Sequence, residues 1–221
     1  MSRVRVLLAD DHVVVAQGLK SLLEDNFEFV GIAADGEALL TAAERLRPDV
    51  VVTDITMPRL NGLDATVELR RRNLAERIVI LTMHADPFLA AEAIRAGASA
   101  YVLKHSAGDE LVQAIREVSA GRMYITPLIA KDLVAELISS ADTGPAPEAK
   151  LTPRQRQILQ LTAEGRSMKQ VASALHISRR TAESHKYQLM RTLGVHTTAE
   201  LVQYAIRLGL ISVPTPSRTE R

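Results

Sequence analysis

Short apolar runs alternate with helix-period segments along the front of the chain, and that alternation leaves few folds open. The runs are Val4–Ala9, Phe29–Ala33, Val50–Thr53, Ile78–Leu81 and Ala100–Leu103. Between and after them lie His12–Asp25, Glu37–Leu46, Gly62–Arg72, Pro87–Ala96 and Ala107–Ala120. Four of the five runs are nearly all apolar, as strands buried on both faces are. The intervening segments carry apolar residues at helical spacing, as at Leu111, Ala114, Ile115 and Val118. Strands covered on both sides need helices on both sides, and parallel neighbours need a crossover. The fold expected here is α/β, a doubly wound five-stranded parallel sheet. A sixth helix is expected over Pro127–Ile138, opened by Thr126-Pro127.

Ser139 to Lys150 is small, polar and Pro/Gly-bearing, and reads as a linker. Beyond it the helix punctuation is dense. Thr152-Pro153-Arg154-Gln155 starts a helix that Gly165 stops, and Ser167 starts a second. Ser178 starts a third that ends at Gly194, and Thr197-Thr198-Ala199-Glu200 starts a fourth that ends at Gly209. Residues 1–122 are therefore expected as one domain, 123–150 as a linker helix with a flexible linker, 151–212 as a small all-α domain, and 213–221 as a tail. Charge follows the same division. Residues 1–140 hold 20 acidic and 15 basic side chains, while residues 151–221 hold 4 and 11. A basic rear domain suits an acidic polymer as partner.

Cysteine is absent, which excludes disulfides, thiolate metal sites and a cysteine nucleophile. Acids at positions 10 and 11 interrupt the N-terminal apolar run before a signal core forms. No apolar run approaches the roughly 18 residues of a membrane span. A cytoplasmic location without membrane contact is expected.

In a doubly wound sheet, ligands gather beyond the carboxyl ends of the strands. Asp10 and Asp11 follow the first run, Asp54 the third, Thr82 the fourth and Lys104 the fifth. Three converging carboxylates repel unless a cation sits among them, and hard oxygen donors suit Mg²⁺. Lys104 and Thr82 offer a charge and a hydroxyl for phosphoryl oxygens, and Asp54, the most central, is left as a carboxylate nucleophile. Singly, each residue is an ordinary loop side chain; together they point to phosphoryl chemistry. A phosphohydrolase built on Asp54 would want a second carboxylate two residues on, where Thr56 stands. A receiver-shaped module that only dimerises is a third reading, against which the complete set argues.

Asp10-Asp11, the stretch Asp54-Ile55-Thr56-Met57-Pro58-Arg59-Leu60-Asn61-Gly62, Thr82 and Tyr101-Val102-Leu103-Lys104 make residues 1–120 resemble the receiver domain of a two-component response regulator, a flavodoxin-like fold. The resemblance implies that Asp54 accepts a phosphoryl group from a sensor histidine kinase. It implies a Mg²⁺ site of Asp10, Asp11, Asp54 and the Thr56 backbone carbonyl. It also implies that Thr82 and Tyr101 shift together on phosphorylation while Lys104 pairs with the phosphoryl group. Thr56 and His84 stand where this family modulates attack of water on the acyl phosphate.

The second and third rear helices, Met168–Leu175 and Arg179–Leu193, are joined by His176-Ile177-Ser178, which is helix-turn-helix spacing. In the third, Ala182, His185, Leu189 and Leu193 form one stripe and should pack inward. Arg179, Arg180, Glu183, Ser184, Lys186, Tyr187 and Arg191 fall elsewhere, a cationic, hydrogen-bonding face suited to a major groove. Glu183, Ser184 and Tyr187 are placed to meet base edges. Leu151-Thr152-Pro153-Arg154-Gln155, Ala163-Glu164-Gly165-Arg166-Ser167, Thr181-Ala182-Glu183-Ser184-His185 and Leu193-Gly194-Val195 make residues 151–212 similar to the LuxR-type domain of NarL/FixJ response regulators. That likeness adds Thr181 to the DNA-facing set. It implies homodimerisation, when phosphorylated or on double-stranded DNA, through the fourth helix at Leu201, Tyr204, Ala205 and Leu208. The two resemblances together imply a phosphorylation-switched transcription regulator and not an enzyme.

Overall fold

The computed structural model describes residues 3–143 and 151–211. The chain forms two compact units, Met1–Ala149 and Lys150–Arg221. The first alternates β1 (Arg5–Ala9), α1 (Val13–Asn26), β2 (Glu28–Ala33), α2 (Gly36–Leu46), β3 (Val50–Thr53), α3 (Gly62–Arg71), β4 (Arg77–Thr82), α4 (Pro87–Ala96), β5 (Ala100–Leu103), α5 (Ala107–Ser119), β6 (Tyr124–Ile125) and α6 (Pro127–Thr143). All strand pairs are parallel, in the order β2-β1-β3-β4-β5-β6.

Successive residues of each strand point to opposite faces, and both faces are covered. Val6, Leu8, Val50, Val52, Val79 and Leu81 pack against Leu19, Leu23, Leu111 and Ile115 of α1 and α5. Leu7, Ala9, Val51 and Ile78 pack against Leu39, Ala43, Ala65 and Leu69 of α2 and α3. Ile80, Tyr101 and Leu103 meet Leu89, Ala90 and Ala93 of α4, and Ile129 and Leu133 of α6. Strand order reverses about β1, so a crevice opens between the carboxyl ends of β1 and β3.

The sheet has six strands, not the five expected. Tyr124 and Ile125 pair with Ala100 and Tyr101, and α6 buries Ile129 and Leu133 on the same cluster as α4. Residues expected as the start of a linker therefore belong to the first unit, and the helix expected to stop at Ile138 runs to Thr143. Two residues are too few to print a strand period, and the apolar face of α6 continues that of the sheet. The rest of the expected linker, 144–150, and the tail from 213 lie outside the described residues.

The second unit holds α7 (Pro153–Ala163), α8 (Met168–Ala174), α9 (Arg179–Leu193) and α10 (Thr198–Arg207). Thr152, Ser167 and Thr197 each close a capping box with Gln155, Gln170 and Glu200, and Ser178 caps α9. Its core gathers Ile158, Leu161, Val171, Ala172 and Ala182. No helix among the described residues is long and apolar enough to cross a membrane.

Candidate functional site

Asp10 follows β1 and Asp54 follows β3, so the two flank the crevice where strand order reverses. Their backbones are fixed by the sheet: Asp10 N–H donates to the Ala33 carbonyl and Asp54 N–H to that of Ala9. Both side chains are almost fully buried, while Asp11 is partly exposed. Ligand atoms of Asp10, Asp11, His12 and Asp54 all lie within 4.8 Å of one another. His12 joins the three expected acids, its Nδ1 lying 2.9 Å from Asp11 Oδ1. Its position directly after the acid pair is the one signal of this that the sequence carries.

Lys104, just past β5, reaches across the crevice. Its Nζ stands 2.7 Å from Asp10 Oδ2 and 2.7 Å from Asp54 Oδ2. The contact with Asp54 is a hydrogen bond. At Asp10 Oδ2 the ammonium makes a second ion pair, so one lysine bridges the two buried carboxylates. Burial pushes the Asp54 carboxyl up to about 6, against the pull of Lys104, and Asp10 adds to the rise. Burial alone would lower the Lys104 ammonium, but Asp54 and Asp10 hold it above its ordinary value. The pocket is thus a buried carboxylate held charged by one lysine, with oxygen donors of the kind hard divalent cations prefer.

Thr82 ends β4 and is fully buried; its Oγ1 accepts a hydrogen bond from His84 N–H. Tyr101 on β5 is also fully buried, and its hydroxyl donates to the His84 carbonyl at 2.7 Å. Burial raises the Tyr101 hydroxyl far above its ordinary range, with Asp86 and Asp54 adding to it, so it stays a donor. The His84 ring lies 3.4 Å from Thr56 Oγ1, and burial lowers its pKa despite Asp86. One residue, His84, therefore touches Thr82, Tyr101 and the loop after Asp54.

In the second unit, α8 and α9 form the helix-turn-helix, with His176 at φ 52 in the turn. Ala182, Leu189 and Leu193 are buried and His185 half-buried, so the inward stripe packs as its spacing requires. Arg179, Arg180, Thr181, Glu183, Ser184, Tyr187 and Arg191 are exposed. Arg179 and Glu183 pair at 2.8 Å, one helical turn apart. Lys186 is half-buried, and its Nζ donates to Thr198 Oγ1 at the start of α10.

The stripe expected to join two copies packs largely within its own unit. Leu201 and Ala205 are fully buried and Leu208 nearly so, against α7 of the same unit, with only Tyr204 partly exposed. A small helical domain has too few apolar faces to leave this one uncovered. Leu201, Ala205 and Leu208 therefore serve the core of their own unit, and Tyr204 is the member of the stripe that reaches the surface.

Residues 6–116 match the response regulator receiver domain, and residues 149–205 match the bacterial regulatory proteins of the luxR family. The transcriptional regulatory protein MctR of Rhizobium johnstonii is 39% identical over 213 residues, spanning 95% of this chain and 96% of its own. The response regulator UvrY of Escherichia coli K12 is 35% identical, spanning 97% and 99%. The structure of RcsB from Salmonella enterica serovar Typhimurium, bound to promoter rprA with the phosphomimetic BeF3-, is 28% identical with a TM-score of 0.62, covering 91% of this chain and 98% of RcsB. These proteins are regulators rather than enzymes. With an acidic crevice at the head of a parallel sheet in one unit and a helix-turn-helix in the other, this chain belongs to the NarL/FixJ-type response regulators of two-component systems, a receiver domain joined to a LuxR-type DNA-binding domain.

Proposed function

We propose that Asp54 is the phosphoacceptor of this regulator, charged by a sensor histidine kinase, and that the phosphoryl group controls DNA binding by α9. The observation that carries the reading is the buried Asp54 carboxylate at the crevice, bonded to Lys104 at 2.7 Å with Asp10 beside it. A carboxylate oxygen attacks phosphorus as the kinase's phosphoimidazole nitrogen leaves. Lys104 then moves from the carboxylate to a phosphoryl oxygen. Thr82 turns its hydroxyl toward the new group and gives up the His84 amide, and Tyr101, tied to the same residue, follows. Carboxylate oxygens of Asp10, Asp11 and Asp54, with the Thr56 carbonyl, would hold Mg²⁺, which when bound neutralises charge on the transferring group. The phosphoryl group acts only by favouring one of two states of the β4–β5 region.

On DNA, Arg179, Arg180 and Arg191 contact phosphates while Thr181, Glu183, Ser184 and Tyr187 face base edges. The RcsB structure bound to promoter rprA supports DNA as the partner. Lys186 steadies α10 against α9. A homodimer would place two α9 helices about one helical turn of DNA apart. Contact between copies through α10 would draw on Tyr204, the partly exposed member of its apolar stripe, and on the exposed Ala199 and Gln203.

The test is intact mass after incubation with Mg²⁺ and a small phosphodonor. One added phosphoryl group is expected in the native chain and none in Asp54→Ala. Labelling that persists in Asp54→Ala overturns the acceptor; multiple turnover of a phosphate ester revives the phosphohydrolase.

A further inference from the structure

The loop from Asp54 to Asn61 is gripped from the β2–α2 connection. It closes on itself at Gly62, whose N–H donates to the Ile55 carbonyl at 2.8 Å. A Cβ on Gly62 would stand 1.9 Å from the Asp54 carbonyl oxygen, so the end of the loop rests on the acceptor's own backbone. A shift of Gly62 would therefore bear on the backbone of Asp54 and Ile55.

At the loop's tip, Leu60 N–H donates to the Pro58 carbonyl at 2.8 Å, closing a three-residue turn about Arg59. Arg59 has φ 65, a left-handed conformation that side chains other than glycine's avoid. A three-residue turn on a positive φ is the strained member of its class. Strain of this kind persists only where surrounding structure enforces it. Two neighbours on the β2–α2 connection do so. Asp35, with its side chain 1% exposed, caps α2 through Ala38 N–H and pairs its other oxygen with the Arg59 guanidinium. Gly36 N–H donates to the Leu60 carbonyl at 3.1 Å, and a Cβ on Gly36 would stand 2.3 Å from that oxygen.

We propose that Arg59 and Asp35 are positioning residues for phosphoryl uptake: their ion pair holds a strained turn that sets the acceptor loop. The proposal rests on the reading of Asp54 as phosphoacceptor. In the step concerned, an Asp54 oxygen bonds to phosphorus as the donor's P–N bond breaks and the amine departs.

The experiment uses the full chain, phosphoramidate as donor and saturating Mg²⁺, with uptake followed by intact mass. Arg59→Met removes the pair and keeps the strain. Asp35→Asn keeps the helix cap and removes the charge. Arg59→Gly removes the pair and the strain together. Arg59→Met and Asp35→Asn are expected to slow uptake roughly tenfold or more, as small misplacements of reacting groups do. Arg59→Gly is expected within about twofold of native, because glycine takes the turn unaided. In parallel, amide exchange at Gly36 should quicken in Arg59→Met and stay near native in Arg59→Gly.

Native rates in both Arg59→Met and Asp35→Asn overturn the proposal. So does an Arg59→Gly rate as low as that of Arg59→Met, since the guanidinium would then act directly on the donor. If Arg59→Met does not fold, Asp35→Asn against Arg59→Gly decides. A folded native chain that takes no phosphoryl group overturns the acceptor assignment, and this proposal with it.

Discussion

Lys104 holds two buried carboxylates at once, and its removal separates two effects. In Lys104→Met, Asp10 and Asp54 face each other in a buried crevice with no counter-charge. Removing one partner of a buried pair typically costs about 3 kcal/mol or more. Urea denaturation without divalent ions should show that loss. Mg²⁺ should recover much of it and bind roughly tenfold tighter than to the native chain, because no ammonium competes for the oxygens. A Mg²⁺ affinity unchanged by titration calorimetry would place the cation away from Lys104. Asp10, Asp54 and Lys104 were readable in the sequence because each terminates an apolar run, and the parallel topology sends every terminus to one edge. The Asp35–Arg59 pair was not readable: its partners are 24 positions apart and follow no period. Nor does a sequence print the positive φ of Arg59, where glycine would have announced the turn.

At the scale of elements, β6 is the addition to the expected fold, and α6 is the expected sixth helix docked on the sheet. Thr126 joins them to the sheet: its N–H donates to the Tyr101 carbonyl, and its Oγ1 accepts from Leu103 N–H and donates to Glu110. Tyr124 reaches the same Glu110 oxygen. Thr126→Val keeps the shape and leaves a buried Leu103 N–H without an acceptor. Such a loss is worth about 1–3 kcal/mol. Denaturant unfolding should register it, and a change within error would mean that water takes the place of the hydroxyl. The strands and helices of both units were legible from periodicity and caps. The destination of the α10 stripe was not, since an apolar stripe looks the same whether its own domain or a second copy covers it.

Across the whole molecule, charge is segregated: net −5 over residues 1–140 and net +7 over residues 151–221. The acidic part discourages binding of polyanions anywhere but at the rear unit. DNA affinity should fall steeply with salt, and Arg191→Ala should lower the slope of log affinity against log salt by about one, uniformly across sequences. Fluorescence anisotropy on two unrelated duplexes checks this. A loss confined to one duplex would move Arg191 from phosphate contact to base reading.

An open parallel sheet has two edges, and each exposes backbone groups that another chain could extend. One edge here is β6, which is only two residues long. The other is β2, whose register against β1 slips between Val6 and Leu7, bending the rim out of flat alignment. Short and irregular rims are poor templates for strand addition. Edge-to-edge polymerisation at high concentration is thereby disfavoured.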